Sequence, residues 1–326
     1  MKQFTPIQLQ LLNFLGDETC QSGHTIAQQL GVSRTAIWKQ INQLTELGLP
    51  IKRNTGQGYQ LDKPFIALNE TAIRHYLSEL NYQNEINFNL FATIDSTNRF
   101  LKDLPISRTT TICCSEAQTK GRGRFGRKWH SPFGENIYFS GRWQLTCCLS
   151  QLSGLSLIVS LAILTSLQQL DIQHGIQLKW PNDLLWQHRK LAGVLIEILA
   201  ETNGCVQIII GIGINVNTSN DKAETPWCSL REITGQFFDR NQLIATLIYT
   251  LDSHLKQFLA QGFKSFQNHW QQVDYLNGRQ IEVFQANTSL SGYACGVNEQ
   301  GQLCLKDEHG NYHYLSSGDT SLKKQS

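Results

Sequence analysis

Apolar positions in the first sixty residues repeat at two different periods. Ile7, Leu11, Leu12, Phe14 and Leu15 fall on one face of a helical wheel, so an amphipathic helix opens the chain. A short second helix over 25–30 ends at Gly31. Ser33 can cap a third, whose apolar Ile37, Ile41 and Leu44 stand at i, i+4 and i+7. From Ile51 to Leu61 the pattern changes to two short β-type runs around the glycine-rich turn Asn54-Thr55-Gly56-Gln57-Gly58, which predicts a hairpin. Two closely spaced helices followed by a hairpin predict a winged helix-turn-helix over 1–63. A linker begins at Lys63-Pro64, and Asn69 is placed to cap the next helix.

From there to about residue 272, helical and strand signals alternate, as in a mixed α/β domain. Leu155 to Leu167 reads as a buried helix; Ser156, Ser160, Thr165 and Ser166 interrupt it, and it falls short of the ~18 apolar residues of a membrane span. Over 273–326 the pattern turns to short strands at Arg279–Phe284, Leu290–Val297, Gln302–Lys306 and Asn311–Leu315, separated by turns such as Asn298-Glu299-Gln300-Gly301, and a small β-barrel is expected. The predicted whole is an α+β multidomain chain.

Composition narrows the class. The chain has 326 residues, which suits two or three domains of roughly 100–200 residues, and its 40% hydrophobic content excludes wholesale disorder. Met1-Lys2-Gln3-Phe4-Thr5-Pro6 carries no apolar run of a signal peptide, and the nine cysteines form no C-x-x-C pair, so reduced thiols and a cytoplasmic location without membrane attachment are expected. A net charge of +2 is too small to mark a nucleic-acid binder in bulk, which leaves local clusters to carry any such role. Two exist. On the face of the third helix opposite its apolar stripe stand Arg34, Thr35, Trp38, Lys39 and Asn42, with Ser33 at its start and Lys52 and Arg53 on the hairpin. These are long polar groups suited to phosphates and base edges in a major groove, although a small helical domain making protein contacts would look similar.

The second cluster is Gly121-Arg122-Gly123-Arg124-Phe125-Gly126-Arg127-Lys128-Trp129, in which glycines let the backbone approach a ligand while four cations crowd eight residues. It predicts an anion cradle for phosphate or carboxylate. Three further segments have the look of a site. Asp95-Ser96-Thr97-Asn98 lies between an apolar run and a helix, and alone would pass for a capping sequence. Lys179-Trp180-Pro181-Asn182-Asp183 ends a strand at Pro181 and exposes Asn182 and Asp183, the latter able to hold a magnesium-bound phosphate or to orient an arginine. A hairpin around Gln187-His188-Arg189 then returns through Lys190-Leu191-Ala192-Gly193, where Lys190 either points at a ligand or snorkels from an edge. Gly211-Ile212-Gly213-Ile214-Asn215 reads as a buried strand whose glycines leave room for a ligand or another backbone.

Taken in order, these segments resemble the family of bifunctional biotin protein ligases and biotin operon repressors over essentially the whole chain. The resemblance implies a central class II synthetase-like ligase domain and an SH3-like C-terminal barrel. It implies that biotin and ATP form biotinyl-5′-AMP, and that biotin then passes to a lysine of a biotin carboxyl carrier protein. Ser96, Thr97, Asn98 and Gln118 would bind biotin, with Arg122, Gly123, Arg124 and Lys190 at its carboxylate and the α-phosphate; Lys190, Arg124 and Arg122 would be catalytic. Arg124, Arg127, Lys128, Trp129, Asn182, Asp183, Asn215 and Trp227 would face the nucleotide, Trp227 packing on adenine unless it is an ordinary core tryptophan, and magnesium would accompany ATP near Asp183 without a fixed protein site. The resemblance further implies a homodimer that forms on binding the adenylate and represses at operator DNA. One departure is Lys323, where the family usually has an arginine near ATP; lysine lacks the bidentate fork. A biotin-sensing regulator without catalysis, an enzyme with an idle N-terminal module, and a lipoate ligase are the competing readings.

Overall fold

The computed structural model describes the chain except for residues 17–18, 173–174, 203, 220–225, 286–287, 318–319 and 323–326. Its first helix, α1 (Pro6–Leu15), begins at a capping box: Thr5 Oγ1 accepts from the Gln8 amide at 3.3 Å, and Gln8 Oε1 accepts from the Thr5 amide at 3.0 Å. Ser22 caps α2 (Gly23–Gln29), and Ser33 caps α3 (Arg34–Glu46) as the sequence predicts. Leu11, Leu15, Ile26, Ile37, Ile41 and Leu44 are fully buried together. Strands β1 (Ile51–Asn54) and β2 (Gly58–Leu61) form the expected antiparallel hairpin. Gly58, at φ +133°, is required there, because a Cβ would lie 2.0 Å from the Gln21 carbonyl oxygen. That close approach lets Tyr59 and Gln21 exchange backbone hydrogen bonds, tying the hairpin to the segment before α2.

The elements that follow are α4 (Glu70–Glu79), β3 (Ile86–Phe91), α5 (Thr97–Asp103), β4 (Thr110–Ser115), β5 (Ile137–Leu145), α6 (Leu155–Gln168), β6 (Ile176–Lys179), β7 (Asp183–Trp186), β8 (Arg189–Thr202) and β9 (Cys205–Ile214). Then come α7 (Leu230–Thr234), α8 (Arg240–Gln261), α9 (Gln267–Val273), β10 (Gln280–Gln285), β11 (Thr288–Val297), β12 (Leu303–Lys306), β13 (Tyr312–Leu315) and β14 (Thr320–Leu322). The chain forms two compact units, one of Met1–Arg142, Gly211–Ser219 and Ser229–Ile244, the other of Trp143–Ile210, Asn220–Cys228 and Ala245–Ser326.

In the first unit the strands take the order β3-β4-β5-β9, with β3 and β4 parallel and α5 on β4. The segment after Lys63 is no free tether. Arg240, on α8, donates to Glu116 at 2.6 Å and to the Ile66 carbonyl at 2.7 Å, and Asn241 donates to the Ala67 carbonyl at 3.0 Å. Glu116 in turn accepts from the Leu68 amide at 2.7 Å. The aromatic rings of Phe4 and Phe65 both lie 6.0 Å from Phe133, so the helical core continues onto the strand-bearing part of this unit. Lys2 also pairs through its backbone with Thr93.

In the second unit the order is β9-β8-β7-β6, covered by α6, whose residues from Leu157 to Leu164 are all buried. Apolar nearly all round, α6 is the buried helix that its sequence predicts. The C-terminal strands form an antiparallel sheet in the order β13-β12-β11-β10-β14. Among the described residues its outer strands do not pair with each other, so the sheet is open where the turn spacing predicts a barrel. No helix among the described residues is long and apolar enough to cross a membrane.

The Arg240–Glu116 pair is 1% exposed on both sides, so removing one partner leaves an uncompensated buried charge. Arg240→Leu is expected to cost about 3–5 kcal/mol in urea denaturation. A loss below about 1 kcal/mol, the size of an ordinary substitution, would show that the pair does not hold the linker.

Candidate functional site

The first unit carries the polar cluster of Ser96, Thr97, Asn98 and Gln118. Ser96 caps α5, and all three residues 96–98 are buried, which requires that their polar atoms be paired. The Thr97 amide and hydroxyl both donate to Gln118 Oε1, at 2.9 and 3.2 Å. Ser140 Oγ lies 2.7 Å from Thr97 Oγ1 and 2.6 Å from Asn98 Oδ1. Gln118 Nε2 donates to Ser131 Oγ at 3.4 Å. Ser131 and Ser140 join the cluster from outside the motifs, and of the two only Ser140, a serine within the apolar run of β5 and fully buried in the fold, carries a signal in the sequence.

The Gly121–Trp129 segment is a narrow hairpin. The Trp129 amide donates to the Gly121 carbonyl at 2.9 Å, the Gly123 amide donates to the Arg127 carbonyl at 2.7 Å, and Arg122 pairs with Lys128. A single 3-10 turn at Arg124–Gly126 forms its tip. There Phe125 is 61% exposed at a left-handed φ of +55°, with the Arg124 guanidinium 4.9 Å above its ring. Arg122, Arg127 and Lys128 are exposed.

The glycines of β9 leave room for something other than expected. A Cβ on Gly211 would lie 2.2 Å from Asn98 Oδ1, and one on Gly213 would lie 2.5 Å from the Trp129 indole. The occupants are thus two side chains of the site, where the sequence suggested a ligand or another backbone. Asn215, at the end of this strand, is buried, and its carbonyl accepts from the Leu230 amide at 3.1 Å.

The second unit carries the Lys179–Asp183 turn and Lys190. Lys179 registers with Asp183 across a tight turn that contains a cis Trp180–Pro181 bond. Asn182 donates to the Val194 carbonyl at 2.7 Å, fixing the turn to β8. A β-bulge between Leu184 and Leu185 then decides where Lys190 points. With it, Lys190 pairs with Leu185 on the face of Asp183; without it, Lys190 would pair with Trp186 and face the other way. Its ammonium reaches Asp183 Oδ1 at 2.6 Å. Asp183 therefore orients a lysine, a partner that the sequence does not suggest.

Trp227 comes beside Lys190 through the backbone: the Lys190 amide donates to the Pro226 carbonyl at 2.9 Å, and the Cys228 amide donates to the Lys190 carbonyl at 3.0 Å. It is half-buried, not a core side chain. Two further cations belong to this unit. Lys179 lies 5.9 Å from the Tyr275 ring centre and Arg279 4.3 Å from it. Burial, and then the charges of Lys190 and Arg279, hold the Lys179 ammonium below its ordinary range against the opposing pull of Asp183. Lys179 was visible within its motif; Arg279, distant in sequence, was not. Lys323 lies outside the described residues.

On α3, Arg34, Thr35, Trp38 and Lys39 are exposed, Trp38 by 51%. The other three hairpin and helix candidates and the cap are already engaged. Ser33 caps the helix, Arg53 donates to Asn42 and so joins hairpin to helix, and Lys52 pairs with Asp62.

Residues 90–215 match the Biotin/lipoate A/B protein ligase family and residues 7–60 the HTH domain. The bifunctional ligase/repressor BirA of Salmonella typhimurium is 35% identical to this chain over 98% of both proteins. The chain belongs to the bifunctional ligase/repressor family. The Escherichia coli BirA protein is 34% identical over 97% of both. Among solved structures, a biotin protein ligase from Aquifex aeolicus in complex with biotin and ATP matches with a TM-score of 0.63 and 31% identity, covering 73% of this chain and 99% of that one. The architecture is accordingly an N-terminal helix-turn-helix domain, a central biotin ligase fold and a C-terminal sheet domain.

Because Gly211 admits the Asn98 amide, Gly211→Ala is expected to overpack the strand and destabilise the chain by about 1–3 kcal/mol in urea denaturation. An unchanged midpoint would mean that Asn98 vacates its position freely.

Proposed function

We infer that this chain is an ATP-dependent biotin–protein ligase that also binds DNA as a repressor. The reading is carried by the match to bifunctional relatives along 98% of the chain, DNA-binding and ligase segments alike. The biotin carboxylate oxygen attacks the α-phosphorus of ATP and pyrophosphate leaves; the amine of a carrier lysine then attacks the carbonyl carbon of biotinyl-5′-AMP, and AMP leaves. Both steps develop negative charge on oxygen, so fixed cations and polar donors supply the catalysis without a covalent enzyme intermediate. Lys190, held by Asp183, neutralises the carboxylate and α-phosphate, and Arg122 and Arg124 share that charge.

Ser96, Thr97, Asn98, Gln118 and Gly123 form the biotin subsite. The support is the hydrogen bonding of Thr97 with Gln118 and of Ser140 with Thr97 and Asn98, which fixes the donors and acceptors of these residues before the ligand arrives. Arg127, Lys128, Trp129, Asn182, Asn215 and Trp227 are assigned to the nucleotide. For magnesium the residues do not fit a protein-held site: the Asp183 carboxylate is committed to Lys190, and among the described residues no three His, Cys, Asp or Glu side chains gather. Magnesium enters as part of the ATP substrate complex.

The three functional segments are 1–63, 64–272 and 273–326, the first a winged helix, the middle one class II synthetase-like and the last SH3-like. Arg34, Thr35, Trp38 and Lys39 form the DNA face, with Arg53 and Asn42 as one linked pair and Ser33 and Lys52 in supporting roles. A cytoplasmic homodimer, favoured by bound biotinyl-5′-AMP, recognises the operator. The adenylate promotes that state only if it binds it more tightly than the alternative.

Purified protein supplied with ATP, magnesium, biotin and a carrier domain is expected to biotinylate the carrier; no product would defeat the assignment, and lipoyl transfer would redirect it. Lys190→Ala is expected to slow single-turnover adenylation by about 100- to 1,000-fold. An unchanged rate would remove Lys190 from its role. Biotinyl-5′-AMP is expected to tighten operator binding by about 5- to 150-fold, the usual span of allosteric coupling, and indifference to it would break the link between the two activities.

A further inference from the structure

The nine cysteines are all free thiols, and the sequence places only Cys113 with Cys114 and Cys147 with Cys148 side by side. The fold creates another pair. In the β11–β12 hairpin, Tyr293 registers with Lys306 and Ala294 with Leu305, and pairing resumes at Val297 with Leu303. One further step of the first register sets Cys295 opposite Cys304. Gly296, at φ +80°, then takes the additional place of a β-bulge. Ala294 and Leu305 are buried, so by strand alternation the next pair faces outward with Tyr293 and Lys306. Cys295 is exposed and Cys304 half-buried, and Tyr314 registers with Cys304 from the neighbouring strand.

We propose that Cys295 and Cys304 form a reversible dithiol–disulfide site, oxidised by exchange with a low-molecular-weight disulfide of the glutathione class. Directly opposed strand residues hold their Cβ atoms about 4.5–5.5 Å apart, and a disulfide needs about 3.5–4.5 Å. The bulge at Gly296 supplies the adjustment, since a glycine there moves without a side-chain penalty. Burial and then the neighbouring Cys295 push the Cys304 thiol up, which makes the exposed Cys295 the first to react. The Cys295 thiolate attacks one sulfur of the small disulfide, forming a mixed disulfide and releasing one thiolate. Cys304 loses its proton and attacks the Cys295 sulfur, releasing the second. Two protein thiols and one small disulfide thus become one protein disulfide and two small thiols.

The position gives this chemistry a reach beyond the hairpin. The turn that the disulfide would close holds Trp180 through the Gly301 carbonyl at 3.2 Å and Ser153 through the Gln300 carbonyl at 2.7 Å. Trp180 belongs to the turn that carries Asn182 and Asp183, so oxidation stiffens a support of the Lys190 partner.

The test uses the full-length chain equilibrated across ratios of reduced to oxidised glutathione, quenched in acid, alkylated and digested with trypsin. Both cysteines fall on one peptide, residues 280–306. As the mixture becomes oxidising, that peptide is expected to lose both alkyl labels together and about 2 Da, the two hydrogens of a disulfide, with full recovery on adding dithiothreitol. Cys295→Ser and Cys304→Ser are each expected to abolish the coupled loss. Full alkylation of both thiols at every ratio, a mixed glutathione adduct alone, or a disulfide confined to Cys147, Cys148 or Cys205 would overturn the proposal.

Discussion

Glu116 and Arg240 meet at 2.6 Å in a place almost closed to water, and much of the first unit is arranged around that contact. Burying two charges costs several kcal/mol per ion unless further hydrogen bonds complete their shells. Arg240 finds them on the Glu116 carboxylate and on the Asn136 and Ile66 carbonyls, while Glu116 accepts from the Leu68 amide. The partners come from the linker, from the end of β4 and from the start of α8. Satisfying the charges therefore fixes where the segment after the helix-turn-helix must run. It also fixes the start of the site, because Gln118, which holds Thr97, is two residues beyond Glu116. Asn136 continues the same construction, accepting from the Val216 amide and the Thr218 hydroxyl next to Asn215.

Much of this was legible in the sequence where local rules decide. Ser33 and Asn69 cap helices, Leu155–Leu167 is a buried helix, and the 51–61 hairpin forms as its pattern predicts. These outcomes depend on neighbours within a few residues. What the sequence could not show were pairings made at long range. Ser140 stands 43 residues from Thr97, and Arg240 stands 124 from Glu116. The β9 glycines are the instructive case: their small size was recognised as room, but only the folded chain shows that Asn98 and Trp129 fill it. The bulge that turns Lys190 toward Asp183 was equally hidden, since no residue in Leu184-Leu185 or Leu191-Ala192 signals a register shift.

The cations of the two units are held in different ways, and this difference has thermodynamic consequences. Lys190 is oriented by Asp183 on paired strands, so presenting it to a developing negative charge requires little reorganisation. Arg122, Arg127 and Lys128 are exposed on a narrow hairpin whose tip holds Phe125 in the left-handed region. Gathering those long side chains around an anion costs rotamer entropy, roughly 1–2 kcal/mol for each fully ordered side chain. A ligand that met only Lys190 would bind a surface already formed and would change little else. A ligand that draws in the hairpin cations must offset their ordering, and it can shift the population of hairpin conformations. A change of conformational population on anion binding is therefore expected at the hairpin and not at Lys190, because coupling requires a group whose state differs before and after binding.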